Sequence, residues 1–575
     1  MHDNARRFPP LVLWLALLGL AATMLLVGNE GVQLWDRDEP RYAVSAREML
    51  QSKNWAVPTY LGALFPDKPP MLYWCQAACM AVLGENAAAA RLPSAIATLL
   101  TLVVLSGVIW KTVGHRRGLW TGLVFISSTL VMVAGKTCLT DALLVLWVTI
   151  AQLCMYAAYA GRASKWTLAA MWVSIGLGVL TKLPVIIAVL GITAVVLAVM
   201  DAFASRKSIF SPKTWWDVTK WWWRTHPWIG IPIVALIVGP WVYQLLHQSK
   251  GAMIERAIYH DVWKRFTTPL EGHGGPPGYY LVATLISFIP WVALLPRVMY
   301  RSFQNRHLPP IRFALAAAIG PWFMFEIART KLPGYMLPCY PALAFLTGDF
   351  IVRCLRGQHA DLKLWTVRYG AIAAGLGTAA LAAAPWVPML PKANLEPGPI
   401  WALVVTSLTA LLAGGVVIRV FLTNRADSRG LAYIGGAMLG LTIVLAGVYL
   451  PNATFLKTSK RVGGFMKDAG GEATEPGKQF MIGYQEPSLA FYQGGTIRQC
   501  NDDSYLLTTP PEQWKPWLTV SKRMWDKVPE DRKTQSGFVV IGSFRGWNYS
   551  AGGRIDEVMV LKRASAASPG PTPKS

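Results

Sequence analysis

Apolar runs of close to twenty residues recur along most of this chain, separated by short polar loops. A helix of that length crosses the ~30 Å hydrocarbon layer of a bilayer. The pattern predicts membrane helices at 10–27, 90–111, 119–135, 138–160, 165–180, 183–200, 227–246, 277–296, 310–327, 335–353, 369–386, 398–421 and 430–450, about thirteen in all. The first run follows Arg6 and Arg7, as a signal peptide would. No small-residue cleavage site comes after it, so it reads as an uncleaved transmembrane helix.

Two amphipathic pieces lie between the first and second spans. Tyr42, Ala46, Met49 and Leu50 recur at helical spacing, with Pro40 suited to a first helical position and Asp38 or Glu39 to its cap. Met71 to Leu83 is apolar but too short to span, and follows Pro69–Pro70. Both read as helices lying on the outer face of the membrane within 36–84. After residue 452 the texture changes: Gln479–Tyr484, Ser488–Tyr492 and Phe538–Ile541 resemble short strands between Gly, Pro and Asn turns. The expected organisation is a transmembrane domain over 1–452, a small extracytoplasmic α/β domain over 453–563 and a disordered Ser/Pro/Gly-rich tail over 564–575. The fold class is a polytopic α-helical membrane protein with that C-terminal domain.

Composition agrees. Of 575 residues, 53% are hydrophobic and 15% charged, far from an ordinary soluble protein. The net charge of +24 does not point to nucleic acid, because many of the cations fall in alternate short loops, such as Arg116 with Arg117 and Arg353 with Arg356. The positive-inside rule then sets the N-terminus in the cytoplasm and the C-terminal domain outside. The seven cysteines show neither a disulfide framework nor a zinc-finger spacing.

Four places on the predicted outer face carry polar groups at or near membrane depth. They are Asp36, Asp38, Glu39 and Arg41; Asp67 and Lys68; Lys136 and Asp141; and His260, Arg265 and His273 together with Arg329, Lys331 and Tyr335. Ionisable groups beside a bilayer are costly and usually functional. Paired acids among cations suit a displacement with an anionic leaving group: one carboxylate takes a proton or holds a metal, and the cations bind a phosphate. Plainer readings stand beside this one. Asp38 and Glu39 equally suit helix capping, Asp67–Lys68 a surface ion pair, and Asp141 the cap of an apolar helix.

DEPRYA at 38–43, DKPPMLYW at 67–74, ARLPSA at 90–95, TDALL at 140–144, PPGYY at 276–280 and KLPGYMLPCYPALAFL at 331–346 together resemble the bacterial lipid-linked-sugar glycosyltransferases, a family that includes the aminoarabinose transferase of lipid A and its protein-mannosyltransferase relatives. GYQEPSLAFY at 483–492 is similar to the outer domain of the aminoarabinose branch. The resemblance implies a C-type glycosyltransferase fold in a bacterial inner membrane. It also implies transfer at the outer face from a polyprenyl-phosphate (undecaprenyl phosphate) sugar to lipid A, or to a glycan or protein acceptor. Asp38 and Asp141 match the key acids, with Glu39 beside them. Arg41 and Lys68 match residues near the donor phosphate, and Lys331 and Arg329 are further candidates there. Asp67, His273, Tyr279, Tyr280 and Tyr335 are expected to line the substrate cavity. A divalent metal (Mg, Mn or Zn) would sit on Asp38 and His273. The segment before GGPPGYY departs from the family's usual His-x-x-Pro-Phe-Trp-Tyr-Tyr pattern. A competing reading, a lipid-linked-sugar flippase, needs polar groups at the membrane midplane, where Glu326 is the main candidate.

Overall fold

The computed structural model describes residues 9–35, 37–65, 67–206, 208, 210–249, 264, 267–269, 274–357, 365–390, 395–422, 428–471, 475–502, 504–548 and 554–564. Among these residues, eight helices are long and apolar enough to cross a membrane, or nine if one bent pair counts as a single span. The chain begins with α1 (Pro10–Leu26), α2 (Asp38–Ser52), α3 (Met71–Leu83), α4 (Ala87–Val113), α5 (His115–Ile126), α6 (Thr129–Lys136), α7 (Thr140–Tyr159), α8 (Lys165–Val179) and α9 (Val185–Ala204). Asn86 starts α4 by accepting a hydrogen bond from the Ala89 amide at 2.8 Å. Gly28 (φ +76°) closes the turn after α1, where a Cβ would collide with the Ala446 carbonyl.

Two expected spans are broken, and the breaks face each other. The run expected at 119–135 is α5 and α6, bent by 65°. At the bend, Ser127 and Ser128 turn their hydroxyls back onto the carbonyls of Leu123 and Val124, which weakens the helical ladder. The run expected at 277–296 is a helix over Tyr279–Ser287, a 3-10 turn over Trp291–Leu294 and a second helix over Leu295–Gln304. The freed backbone groups meet across the gap: the Thr129 amide donates to the Ile289 carbonyl at 3.2 Å. The Trp291 indole donates to Ser127 Oγ at 2.9 Å. Irregular backbone at such depth is tolerated where protein satisfies it.

The C-terminal part holds a five-stranded mixed sheet. Besides the hairpin β1 (Thr59–Tyr60) and β2 (Ala63–Leu64), the strands are β3 (Gln479–Ile482), β4 (Arg498–Gln499), β5 (Trp517–Ser521), β6 (Phe538–Asn548) and β7 (Arg554–Arg563), in the order β4-β3-β5-β7-β6. β3 runs parallel to β4 and β5, and β7 antiparallel to β5 and β6. The strand expected at 488–492 is instead a helix over Pro487–Gln493, opened by Pro487 and closed by Gly494 in the left-handed region. A short apolar run such as SLAFY does not by itself separate strand from helix.

This unit grips α2. Arg47 donates to the Phe491 carbonyl at 3.1 Å, lies 4.5 Å over the Phe491 ring and pairs with Glu85 at 2.6 Å. α2 is therefore packed on two sides. Ser45 and Arg47 are buried along with Tyr42, Ala46 and Met49, which a helix resting on a membrane surface would leave wet.

Candidate active site

The polar groups fall into two kinds. The first is a closed hub. Glu39, expected among the catalytic acids, is 0% exposed. Its carboxylate accepts from Arg91 Nε at 3.1 Å and Nη2 at 2.9 Å, from the Trp35 amide at 2.6 Å and from the Cys138 amide at 2.8 Å. Arg91 also donates to the carbonyls of Asn29, Val32 and Gln33. Lys136 donates to the carbonyls of Met24 and Val27 and to the Asn29 side chain. The Tyr492 hydroxyl accepts from the Leu34 amide at 2.9 Å. Long-range side chains thus hold the irregular backbone that leads into Asp38. With four donors around it and no access, Glu39 positions other residues and cannot meet a substrate.

The second kind is half open. Asp38 opens α2 and Asp141 lies in the first turn of α7, so each carboxylate sits at the positive end of a helix dipole. The Glu39–Cys138 bond ties the segment leading into α7 to the start of α2. Asp67 accepts from the Tyr42 hydroxyl at 3.0 Å and pairs with Lys68 at 3.2 Å. Burial, then Asp67 and Asp38, push the Tyr42 phenol well above its ordinary pKa, so it remains a donor. Asp141 pairs with Lys182 at 2.7 Å, and Lys182 lies 5.0 Å over the Tyr335 ring. Gly334 comes so close to Asp141 that a Cβ there would stand 3.1 Å from Oδ2. The Met71 amide donates to the Leu180 carbonyl at 3.1 Å, which docks the DKPP stretch beside Lys182.

The Lys331 side chain is 3% exposed and pairs with Glu326 at 2.9 Å. Glu326 also accepts from the amides of Gly278 (2.9 Å) and Tyr280 (3.3 Å). Lys331 therefore clamps the PPGYY segment, and its ammonium is covered. Glu326 is tied to that segment by the same bonds, at the last turn of the helix Pro309–Ile327, and so does not offer the midplane group a flippase needs. Tyr279 packs edge-on against the buried Tyr280 at 5.1 Å. Arg329 is exposed, and Arg41 lies half-buried beside Tyr60. Asp36, His260, Arg265 and His273 lie outside the described residues. Among the described residues no three His, Cys, Asp or Glu side chains gather as metal ligands. His273, expected to share a metal with Asp38, is among the residues outside this description.

Lys182 is the functional candidate that the sequence reading passed over. Its signal was available: Thr181-Lys182-Leu183-Pro184 repeats as Thr330-Lys331-Leu332-Pro333. Each lysine is paired with an acid and lies over a tyrosine, Lys182 over Tyr335 and Lys331 over Tyr280.

Residues 67–243 match the family model of dolichyl-phosphate-mannose-protein mannosyltransferases. The chain is 29% identical over 381 residues to the undecaprenyl phosphate-alpha-4-amino-4-deoxy-L-arabinose arabinosyl transferase of Pseudomonas paraeruginosa, 64% of each chain. It is 30% identical over 341 residues to that of Shewanella sediminis, 58% of this chain and 59% of the relative. To that of Yersinia enterocolitica it is 27% identical over 333 residues, 57% of each. The match thus spans 57 to 64% of these relatives' length. The fold is similar to the crystal structure of ArnT from Cupriavidus metallidurans bound to undecaprenyl phosphate, with a TM-score of 0.75, 21% identity and coverage of 97% of this chain and 99% of that one. The chain is similar to the aminoarabinosyl transferases along more than half its length, and residues 67–243 to the protein mannosyltransferases. It is a multi-pass helical membrane protein with the ArnT fold, and more distantly it is similar to the archaeal oligosaccharyltransferase AglB from Archaeoglobus fulgidus (TM-score 0.50, 11% identity, 99% of this chain and 76% of that one).

Proposed function

We propose that this chain is a glycosyltransferase of a bacterial inner membrane, moving 4-amino-4-deoxy-L-arabinose from undecaprenyl phosphate to lipid A at the outer face. The observation that carries the reading is the half-open cluster of Asp38, Asp67, Lys68, Asp141 and Lys182. Its three acids and Lys68 lie in DEPRYA, DKPPMLYW and TDALL, which resemble motifs of the aminoarabinosyl transferases, in a fold similar to that of ArnT bound to undecaprenyl phosphate. The N-terminus is cytoplasmic, and the C-terminal sheet lies outside with the site. About thirteen spans and a small outer α/β domain fit this arrangement.

The reaction is a single inverting displacement. An acceptor oxygen attacks the anomeric carbon as the bond from that carbon to the lipid phosphate breaks. Lys68 and Lys182 stabilise the charge that builds on the leaving phosphate. Lysine suits this role as a compact point charge. An acceptor phosphate is already ionised and needs no general base, so Asp38 orients it. With a hydroxyl acceptor, Asp38 takes the proton. The mannosyltransferase family match favours a hydroxyl acceptor as the second reading.

Mass spectrometry of lipid A, glycolipids and envelope proteins tests the proposal, in cells that make the lipid-linked donor and express either the wild-type chain or Asp38→Asn. A pentosamine mass on lipid A only with wild type is the expected result. The mass on protein instead transfers the reading to the mannosyltransferase branch. No sugar in any fraction, with donor present, removes the transferase reading.

A further inference from the structure

Between α2 and the C-terminal sheet lies a group of polar side chains that the reaction above leaves unused. Arg41 is half-buried on α2, three residues after Asp38 and so ~5 Å further along the helix axis. It makes no hydrogen bond or ion pair among the described residues. Tyr60 stands on β1, and its phenol oxygen is buried without a hydrogen-bond partner. Arg498 is on β4, the edge strand of the sheet. Its Nη1 holds the carbonyls of Gly495 at 2.8 Å and Ile497 at 3.0 Å. Its Nη2 reaches over the hairpin turn, 3.7 Å from where a Cβ on Gly62 would stand.

The hairpin is fixed in place from below. Glu48 accepts from Thr59 Oγ1 at 2.5 Å and from the Gly62 amide at 3.2 Å, which occupies its carboxylate. Burial raises the Tyr60 phenol's pKa; Arg41 and Arg498 act in the opposite direction, while Glu48 and Glu486 add to the rise. A buried hydroxyl without an acceptor is unfavourable and a bound anion relieves it. Guanidinium forks match phosphate oxygens closely, and two of them flank this phenol.

We propose that Arg41, Tyr60 and Arg498 form a second anion subsite, which holds a phosphomonoester of the acceptor that does not itself react. The inference rests on the transfer reading and gives the C-terminal domain a direct part in substrate choice. The subsite stands one aromatic layer away from the Asp38–Asp67 cluster: Tyr42 packs on Phe65 at 6.5 Å and Phe65 on Tyr60 at 5.6 Å. That separation suits a large acceptor carrying two phosphates, one at each position. It also moves Arg41 from the donor phosphate, where the resemblance had it, to the acceptor.

The test uses the full chain in nanodiscs with saturating lipid-linked donor. Bisphosphorylated and monophosphorylated lipid A serve as acceptors, with wild type, Arg498→Ala and Tyr60→Phe compared. The expected result is an acceptor KM raised about tenfold in Arg498→Ala and about threefold in Tyr60→Phe on the bisphosphorylated acceptor, the loss lying in KM and not in kcat. On the monophosphorylated acceptor the three proteins converge, because the missing phosphate has already removed the contact. Equal losses on both acceptors, or none on either, overturn the subsite while leaving transfer intact. If wild type transfers to neither acceptor, the transfer reading itself fails. Thermal shifts of the same proteins with millimolar glucosamine 1-phosphate then decide the subsite: stabilisation of wild type but not of Arg498→Ala supports it, and identical shifts reject it.

Discussion

Asp38 and Glu39 are consecutive residues at the start of one helix, yet their carboxylates have different surroundings. Glu39 points inward and is surrounded by Arg91, Trp35 and Cys138 with no solvent access. Asp38 is half-buried beside Tyr42, next to ion pairs whose side chains keep 14 to 18% of their surface open. The difference shows how the same residue type is divided between two roles. A charge buried deep and saturated with donors holds backbone in place, because removing one partner strands the other. A charge left partly open beside a cation can still exchange its partner for a substrate. The hub holds the cluster: the Arg91 and Lys136 bonds, with the Tyr492 hydroxyl on the Leu34 amide, fix the loop from Met24 to Trp35 that delivers Asp38.

Substitutions can break that contrast. The largest effect is expected at Asp38→Asn, which should lower the transfer rate by about 10²- to 10⁴-fold, the range typical of a positioned acid or base. The amount of folded protein recovered from membranes should not change. Glu39→Gln should act the other way. It leaves Arg91 buried against a weaker partner and should destabilise the protein by up to about 3–5 kcal/mol. Adding Arg91→Met should cost less than the sum of the two single changes, readable as a double-mutant cycle in thermal unfolding.

Among the cations the contrast is finer. Lys68→Ala should raise the donor KM about tenfold, a typical value for losing one phosphate contact. Lys331→Ala should change it little and instead lower the unfolding temperature, because it frees Glu326 and the PPGYY segment. Equal effects on donor KM would erase the distinction between open and clamped lysines. The smallest effect is alkaline. Tyr42 has a folded pKa raised above its unfolded value near ~10, so its stabilising contribution is complete below that pH and is lost as pH climbs toward the folded value. Unfolding curves from about pH 8 to 11 should fall less steeply for Tyr42→Phe than for wild type.

Most of the bundle was legible because a span announces itself through length and apolarity alone. The helices expected at 138–160, 310–327 and 398–421 lie at Thr140–Tyr159, Pro309–Ile327 and Ile400–Leu422. The two broken spans were not legible, since their breaks depend on each other: Ser127–Ser128 is tolerable only because Ile289 and Trp291 arrive from 160 residues away. At the site, motifs identified the acid-bearing segments but not the role of each residue. Glu39 stood beside Asp38 among the acids and Lys331 behind Lys68 among the cations, with nothing local to show that both are occupied. Arg91, inside the helix α4, is what occupies Glu39, and that pairing spans 52 positions of sequence. Lys182 was hidden by its place between two apolar runs, although its TKLP context repeats at Lys331.

The most direct test is the transfer rate per folded molecule for Asp38→Asn and Glu39→Gln, measured side by side in nanodiscs with lipid-linked aminoarabinose and lipid A. Asp38→Asn is expected to fold as wild type and to transfer about 10²- to 10⁴-fold more slowly. Glu39→Gln is expected to fold in smaller amounts, with each folded molecule retaining at least about a tenth of the wild-type rate. A stable, inactive Glu39→Gln beside an active Asp38→Asn would contradict the division of roles between the two acids.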